Sequence, residues 1–193
     1  MSENQVNQGT TKPKFTAKKL ACCGAAIALG FLLSYVKVEL PYGGAATAFS
    51  MFCICILGYF YGLKVGIASA AAYSLLQFIQ SGMSYIISPF QVCCDYFFAF
   101  TALGLTGLFY KKKVGFLPAY FLAIFVRGLF HTLGGYLYWM EYMPESFPQS
   151  IAFLYPIVYN YSYILAEGII TAIVFKIPAV NKAFLRVKNM MCE

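Results

Sequence analysis

Between Arg127 and Glu167 the chain reads RGLFHTLGGYLYWMEYMPESFPQSIAFLYPIVYNYSYILAE, which places an Arg, a His, the only Trp, an Asn and a Glu within or beside two apolar segments. Ionisable groups are expensive at membrane depth and persist where a cavity, an ion path or a partner charge requires them. The stretch therefore reads as half of a ligand pocket. The competing reading is helix-helix glue, in which polar side chains hydrogen-bond across a packed bundle. A second cluster, Asp95 beside Tyr96, lies near the start of an earlier apolar segment. A carboxylate, an indole at Trp139 and several tyrosines suit a flat cationic heteroaromatic ligand, since an indole face attracts a cation by about 0.5 to 2 kcal/mol. His131, Asn160 and tyrosine hydroxyls would supply the directional hydrogen bonds that select one ring over another.

The elements that must hold these residues are membrane helices. With 61% hydrophobic and 11% charged residues and a mean hydropathy of +0.70, the 193-residue chain is too apolar for a soluble domain. Its net charge of +7 does not point to nucleic acid, because the charges cluster at the ends of apolar segments and form no basic face. Six segments can be drawn: Ala17 to Val36, Ala45 to Tyr61, Leu63 to Gln80, Phe90 to Tyr110, Val114 to Trp139 and Ile151 to Phe175. Each is near or above the roughly 17 to 25 residues that a spanning helix needs. Pro41-Tyr42-Gly43-Gly44, Ser88-Pro89 and Pro144 to Pro148 mark the clearest breaks. The expected fold is all-α, a polytopic membrane protein with six transmembrane helices. Residues 1–16 read as a flexible cytoplasmic tail without the apolar core of a signal peptide, 17–176 as the membrane domain and 177–193 as a basic cytoplasmic tail.

Orientation follows from Lys and Arg. With the N-terminus inside, twelve of the fourteen basic residues fall on the cytoplasmic side, including Lys12, Lys14, Lys64, Lys111 to Lys113 and Arg186, while only Lys37 lies outside and Arg127 sits within segment five. Both termini are thus expected in the cytoplasm, with Glu39, Glu141 and Glu145 on the outer rim. In this topology Asp95 lies roughly 7 Å below the outer end of segment four, and His131 and Arg127 lie ~12 and ~18 Å below the outer end of segment five. Tyr155, Tyr159 and Asn160 are shallow to intermediate, and Glu167 is deep. Arg127 and His131 share a face with Gly134 and Gly135, where a flat ligand or a neighbouring helix could approach the backbone. Asn160, Tyr163 and Glu167 share another. Arg127 and Glu167 come at comparable depth, so an ion pair is the expectation, either forming the pocket floor or serving a purely structural role.

Other chemistries lack support. The seven cysteines form no Cys-x-x-Cys pair and have no His at metal-ligand spacing, so no metal site is expected; six fall in apolar segments, where free Cys packs as a small hydrophobe. There is no phosphate loop of the Gly-x-x-x-x-Gly-Lys-Ser/Thr type, and neither His-Glu-x-x-His nor Gly-x-Ser-x-Gly occurs. No cofactor and no catalytic residue is expected, and any energy source must lie elsewhere.

The spacing His131-x7-Trp139, then Glu141-Tyr142-x-Pro144-Glu145, then Tyr155-x4-Asn160-x-Ser162-Tyr163 and Glu167, resembles the thiamine-specific S-component of energy-coupling factor (ECF) vitamin importers. SPFQVCCDYFFAFTALGLTGLF, from Ser88 to Phe109, resembles that family's fourth helix, and LPYGGAATAFSM, from Leu40 to Met51, its first outer loop and the start of helix two. The resemblance implies a non-enzymatic, multi-pass subunit of a bacterial cell membrane. Such a subunit binds extracellular thiamine and works with a transmembrane coupling protein and two cytoplasmic ATPases. It carries ligand roles to Asp95, Tyr96, Arg127, His131, Trp139, Tyr155 and Asn160, with Tyr159, Tyr163 and Glu167 in support. Asp95 is expected at the cationic or aminopyrimidine part and Trp139 against a ring.

Ala17, Ala21, Gly24, Ala25 and Ala28 form a small-residue stripe on the first helix. The resemblance implies that Ala21, Gly24, Ala25 and Ala28 contain a motif that docks on the coupling subunit, with the register open; internal packing is the alternative. Two other readings of the whole chain remain: an S-component for a different vitamin, and a membrane enzyme using Asp95 with His131.

Overall fold

The computed structural model describes residues 16–84 and 86–192. Most of the tail expected at 1–16, with Lys12 and Lys14, lies outside the described residues. Helix α1 spans Ala17–Leu33, begun by Thr16, whose hydroxyl accepts from the Lys19 amide at 3.3 Å. A hairpin follows: β1 (Lys37–Glu39) pairs antiparallel with β2 (Ala45–Thr47), Lys37 opposite Thr47 and Glu39 opposite Ala45. Gly43 and Gly44 take φ of 90° and 73°, a conformation that a side chain disfavours, and so reverse the chain within five residues.

Helix α2 (Ser50–Tyr61) is joined to α3 (Leu63–Gln80) through Gly62 alone. Three long helices complete the body: α4 (Pro89–Phe109), α5 (Phe116–Tyr142) and α6 (Gln149–Phe175). A final amphipathic helix, α7, covers Pro178–Cys192. The described fold is therefore helical apart from one short hairpin.

By length and composition, α4, α5 and α6 can each cross a membrane. The other three expected spans are shorter or more polar. Segment two, drawn from Ala45, is a strand at its start and becomes a helix only at Ser50, because Phe49 sits in the left-handed region at φ 59°. The resulting 12-residue helix is ~18 Å long. Segment one ends at Leu33 and not Val36. In α3, Lys64, Ser69, Ser74, Gln77 and Gln80 dilute the apolar run.

Packing separates the bundle into two ends. Where α2, α3 and α4 cross, glycines let the backbones touch: a Cβ on Gly66 would lie 2.6 Å from both the Gly104 carbonyl oxygen and Gly58 Cα. At one end Phe60, Phe116, Phe175 and Phe184 pack with tilted and edge-on rings 4.8 to 5.5 Å apart, so α7 is tied to the core through Phe184. Cys23, Cys53, Cys55 and Cys94 are buried, and Cys22 and Cys93 half-buried, as free thiols. At the opposite end the hairpin, the start of α4, the end of α5 and the start of α6 surround a cavity.

Candidate functional site

Two departures from α-helical geometry bring the chemistry inward. Ser88 caps α4 by accepting from the Gln91 amide at 3.1 Å, and Pro89 occupies the first turn, where its missing N–H is not needed. The helix then widens into a π-helical stretch at Cys93–Phe98 carrying Asp95 and Tyr96. Helix α5 does the same at Gly135–Trp139, ending on Trp139. Such π stretches recur at functional sites because the extra residue redirects side chains within a packed helix.

The cavity has a volume of about 740 Å³. Asp95, Tyr96, Arg127, His131, Trp139, Tyr155 and Asn160 all line it, as do Tyr159 and Tyr163. Asp95 is the hub. Its Oδ2 accepts from Gln91 Nε2 at 2.7 Å and from the Trp139 indole N–H at 2.8 Å. Its Oδ1 faces His131 Nδ1 at 3.9 Å, with only 14% and 11% of the two side chains exposed. Arg127 Nε donates to His131 Nε2 at 3.3 Å, which leaves the imidazole proton on the nitrogen facing Asp95. The Arg127 guanidinium lies 4.3 Å over the Phe100 ring. Positive charge at depth is thus held by an aromatic face and an imidazole.

Asn160 ties two helices together. Its Nδ2 donates to the carbonyls of His131 and Pro156 at 3.2 and 2.8 Å, and its Oδ1 accepts from Tyr163 Oη at 2.9 Å. Tyr155, Tyr159 and Tyr163 form a ladder along α6 with ring centroids 5.6 and 5.9 Å apart. Gly134 and Gly135 prove to admit helices: a Cβ on Gly134 would strike Asp95 Oδ1, and one on Gly135 would lie 2.8 Å from Pro156.

The expected pair of Arg127 with Glu167 is not formed. Glu167, 3% exposed, accepts from the Met51 amide at 2.8 Å through Oε1 and from the Thr47 hydroxyl through Oε2. A hydroxyl at the end of β2 and a backbone amide at the start of α2 meet its hydrogen-bonding needs, and it does not line the cavity. Arg127 is occupied by Phe100 and His131 instead.

Several lining residues were not among the expected site residues. Lys37, Tyr42, Gly43 and Gly44 of the hairpin form one wall, and Ser34, Gln77 and Gln80 another. Gln77 Nε2 donates to Ser34 Oγ at 3.0 Å, and Ser34 lies 2.8 Å from Gln80 Oε1. Two amides three residues apart in an apolar segment were the available signal. On α1, Ala17, Ala21, Gly24, Ala25 and Ala28 are all exposed, and a Cβ on Gly24 would meet nothing within 4 Å.

Comparison with known proteins gives the family. The thiamine transporter ThiT of Bacillus subtilis (strain 168) is 26% identical over 169 residues, covering 81% of this chain and 85% of that protein. A solved structure of ThiT from Listeria monocytogenes superposes with a TM-score of 0.62 over 86% of this chain and 96% of that one. At 22% identity that likeness speaks to the fold alone. The B. subtilis relative and the matching family are named as transporters and not as enzymes, which speaks against the acid-base reading of Asp95 with His131. Residues 20–186 match the family described as Thiamine transporter protein (Thia_YuaJ), and the chain belongs to that family.

Proposed function

We propose that this chain captures thiamine in the cavity between the hairpin, α4, α5 and α6, and delivers it into the cell as the substrate-binding subunit of an ATP-driven ECF importer. One observation carries the reading: Asp95 and Trp139 are hydrogen-bonded to each other on the wall of a cavity lined by six tyrosines. Thiamine joins a permanently cationic thiazolium to an aminopyrimidine, and both are flat. A carboxylate coupled to an indole supplies charge and a stacking face in one unit. Tyr96, His131, Arg127, Tyr155 and Asn160 complete the hydrogen-bonding wall, with Tyr159 and Tyr163 in support. This proposal places Trp139 against a ring and Asp95 toward the cationic or aminopyrimidine part.

In this reading the protein is a multi-pass protein of the bacterial cell membrane, crossing it six times with both termini in the cytoplasm. A helix as short as α2 is then accommodated by local thinning of the bilayer, with the hairpin at its outer end. Residues 17–176 are the substrate-binding body, 1–16 and 177–193 its cytoplasmic ends. The distribution of Lys and Arg supports that orientation. Energy comes from partners, a transmembrane coupling subunit and two ATPases, and the exposed small-residue stripe of α1 is the docking face.

Calorimetry of thiamine against detergent-solubilised protein without ATP tests the reading, alongside mass spectrometry of small molecules that co-purify. Saturable heat and co-purified thiamine are expected. No heat with thiamine, and a different vitamin in the mass spectrum, would overturn it.

A further inference from the structure

The hairpin that walls the cavity is seated on α6 at three successive positions. A Cβ on Gly43 would lie 2.8 Å from the Tyr159 ring, and one on Gly44 would lie 2.6 Å from the Tyr163 ring, so both turn residues rest against the tyrosine ladder. Four residues further along α6, Glu167 receives the Thr47 hydroxyl from the end of β2. Residues 159, 163 and 167 share one helical face, so the hairpin runs down a single stripe. The aromatic contacts are slippery, whereas the carboxylate is directional.

Glu167 also completes α2. That helix begins after Phe49, whose left-handed backbone and apolar side chain leave it with no side-chain cap. Glu167 Oε1 accepts from the second amide of the helix, Met51, and so acts as a cap supplied by another helix at the positive end of the α2 dipole. Thr47 Oγ1 also lies 2.7 Å from Ser50 Oγ, closing a network of Glu167, Thr47, Ser50 and the Met51 amide.

The geometry points to Glu167 as a positioning residue for substrate retention: it holds the Lys37–Thr47 hairpin over the cavity through Thr47 and Met51, without touching the ligand. The inference rests on the reading of the cavity as the thiamine site. Gln at 167 preserves the network, because its carbonyl accepts from Met51 while its amide donates to Thr47, and the Thr47 proton turns to Ser50. Ala cannot do this. Thr47→Val cuts the hairpin link from the other side while leaving Glu167 on Met51.

The test combines thiamine dissociation, followed by stopped flow, with ligand-free hydrogen exchange of Lys37–Thr47 in wild type, Glu167→Ala, Glu167→Gln and Thr47→Val. Release from Glu167→Ala and Thr47→Val should be about tenfold faster or more, and from Glu167→Gln close to wild type. Exchange in the hairpin should rise in the first two variants while the amides of α4 and α5 keep their protection. Wild-type release and exchange in Glu167→Ala, or protection lost equally throughout the molecule, would overturn the positioning role. A wild-type protein that does not bind thiamine would overturn the functional reading instead, and the ligand-free exchange would still decide what Glu167 does for the hairpin.

Discussion

The indole N–H of Trp139 donates to Asp95 Oδ2 at 2.8 Å, so the residue proposed to stack on the ligand is oriented by the residue proposed to carry the complementary charge. Gln91 Nε2 reaches the same oxygen at 2.7 Å, and the carboxylate is fixed before any ligand arrives. A site whose polar groups are already aimed loses less entropy on binding than one that must assemble.

Asp95→Asn separates the two roles. The amide keeps the shape and can still accept from Trp139 and Gln91 through its oxygen, but it removes the charge and turns an NH2 toward His131. Losing a charged hydrogen bond of roughly 1.5 to 3 kcal/mol should weaken thiamine binding about tenfold or more in calorimetry. The ligand-free emission of Trp139 should stay near wild type, whereas Asp95→Ala should shift it. Unchanged affinity in a folded Asp95→Asn protein would remove Asp95 from the site.

Arg127→Lys tests the buried cation. The guanidinium lies over Phe100 and at the same time donates through Nε to His131, and an ammonium cannot reproduce both. The loss of about 1 kcal/mol should appear as roughly fivefold weaker thiamine binding. Affinity equal to wild type would make Arg127 a residue of the fold only.

The cavity-lining residues were legible because expensive side chains stood out in an apolar background: Arg127, His131 and Asp95 are conspicuous by type alone. The partner of Glu167 was not. Sequence displays charges, so Arg127 was the visible candidate, while the donors that took the carboxylate were a hydroxyl and a backbone amide at a helix start. The hairpin was equally hidden. Three-residue strands carry no usable hydrophobic period, and these form because Gly43 and Gly44 reverse the chain against a stripe on a helix more than a hundred residues later. The π-helical stretches at Cys93–Phe98 and Gly135–Trp139 leave no compositional trace either, although they carry Asp95 and Trp139.

Leu or Trp at Ala21 or Ala25 should abolish transport while leaving thiamine binding intact. These positions are exposed on α1, away from the cavity, so under the proposed docking a large side chain there would meet the partner's helix and not the core. Thiamine uptake by cells and calorimetry on the purified variant give the two readouts. Joint loss of binding and transport would assign the stripe to internal packing.

Trp139 is the only tryptophan in the chain, so indole emission reports one position without averaging. Its N–H is anchored on Asp95 and its ring lies 5.3 Å from that of Tyr142, between centroids, on the wall of the cavity. A thiazolium or pyrimidine stacked against that ring should quench the emission saturably on titration with thiamine, in detergent and without ATP, because in the proposed function binding precedes the energised step. Riboflavin and biotin should neither quench nor compete. A site built around one carboxylate and fixed hydrogen bonds leaves buried polar groups unpaired when the wrong ring enters, which costs orders of magnitude in affinity. A flat response to thiamine, with no heat in calorimetry, would leave the cavity with another ligand and make Trp139 a member of the aromatic belt that tryptophans commonly form near a membrane surface.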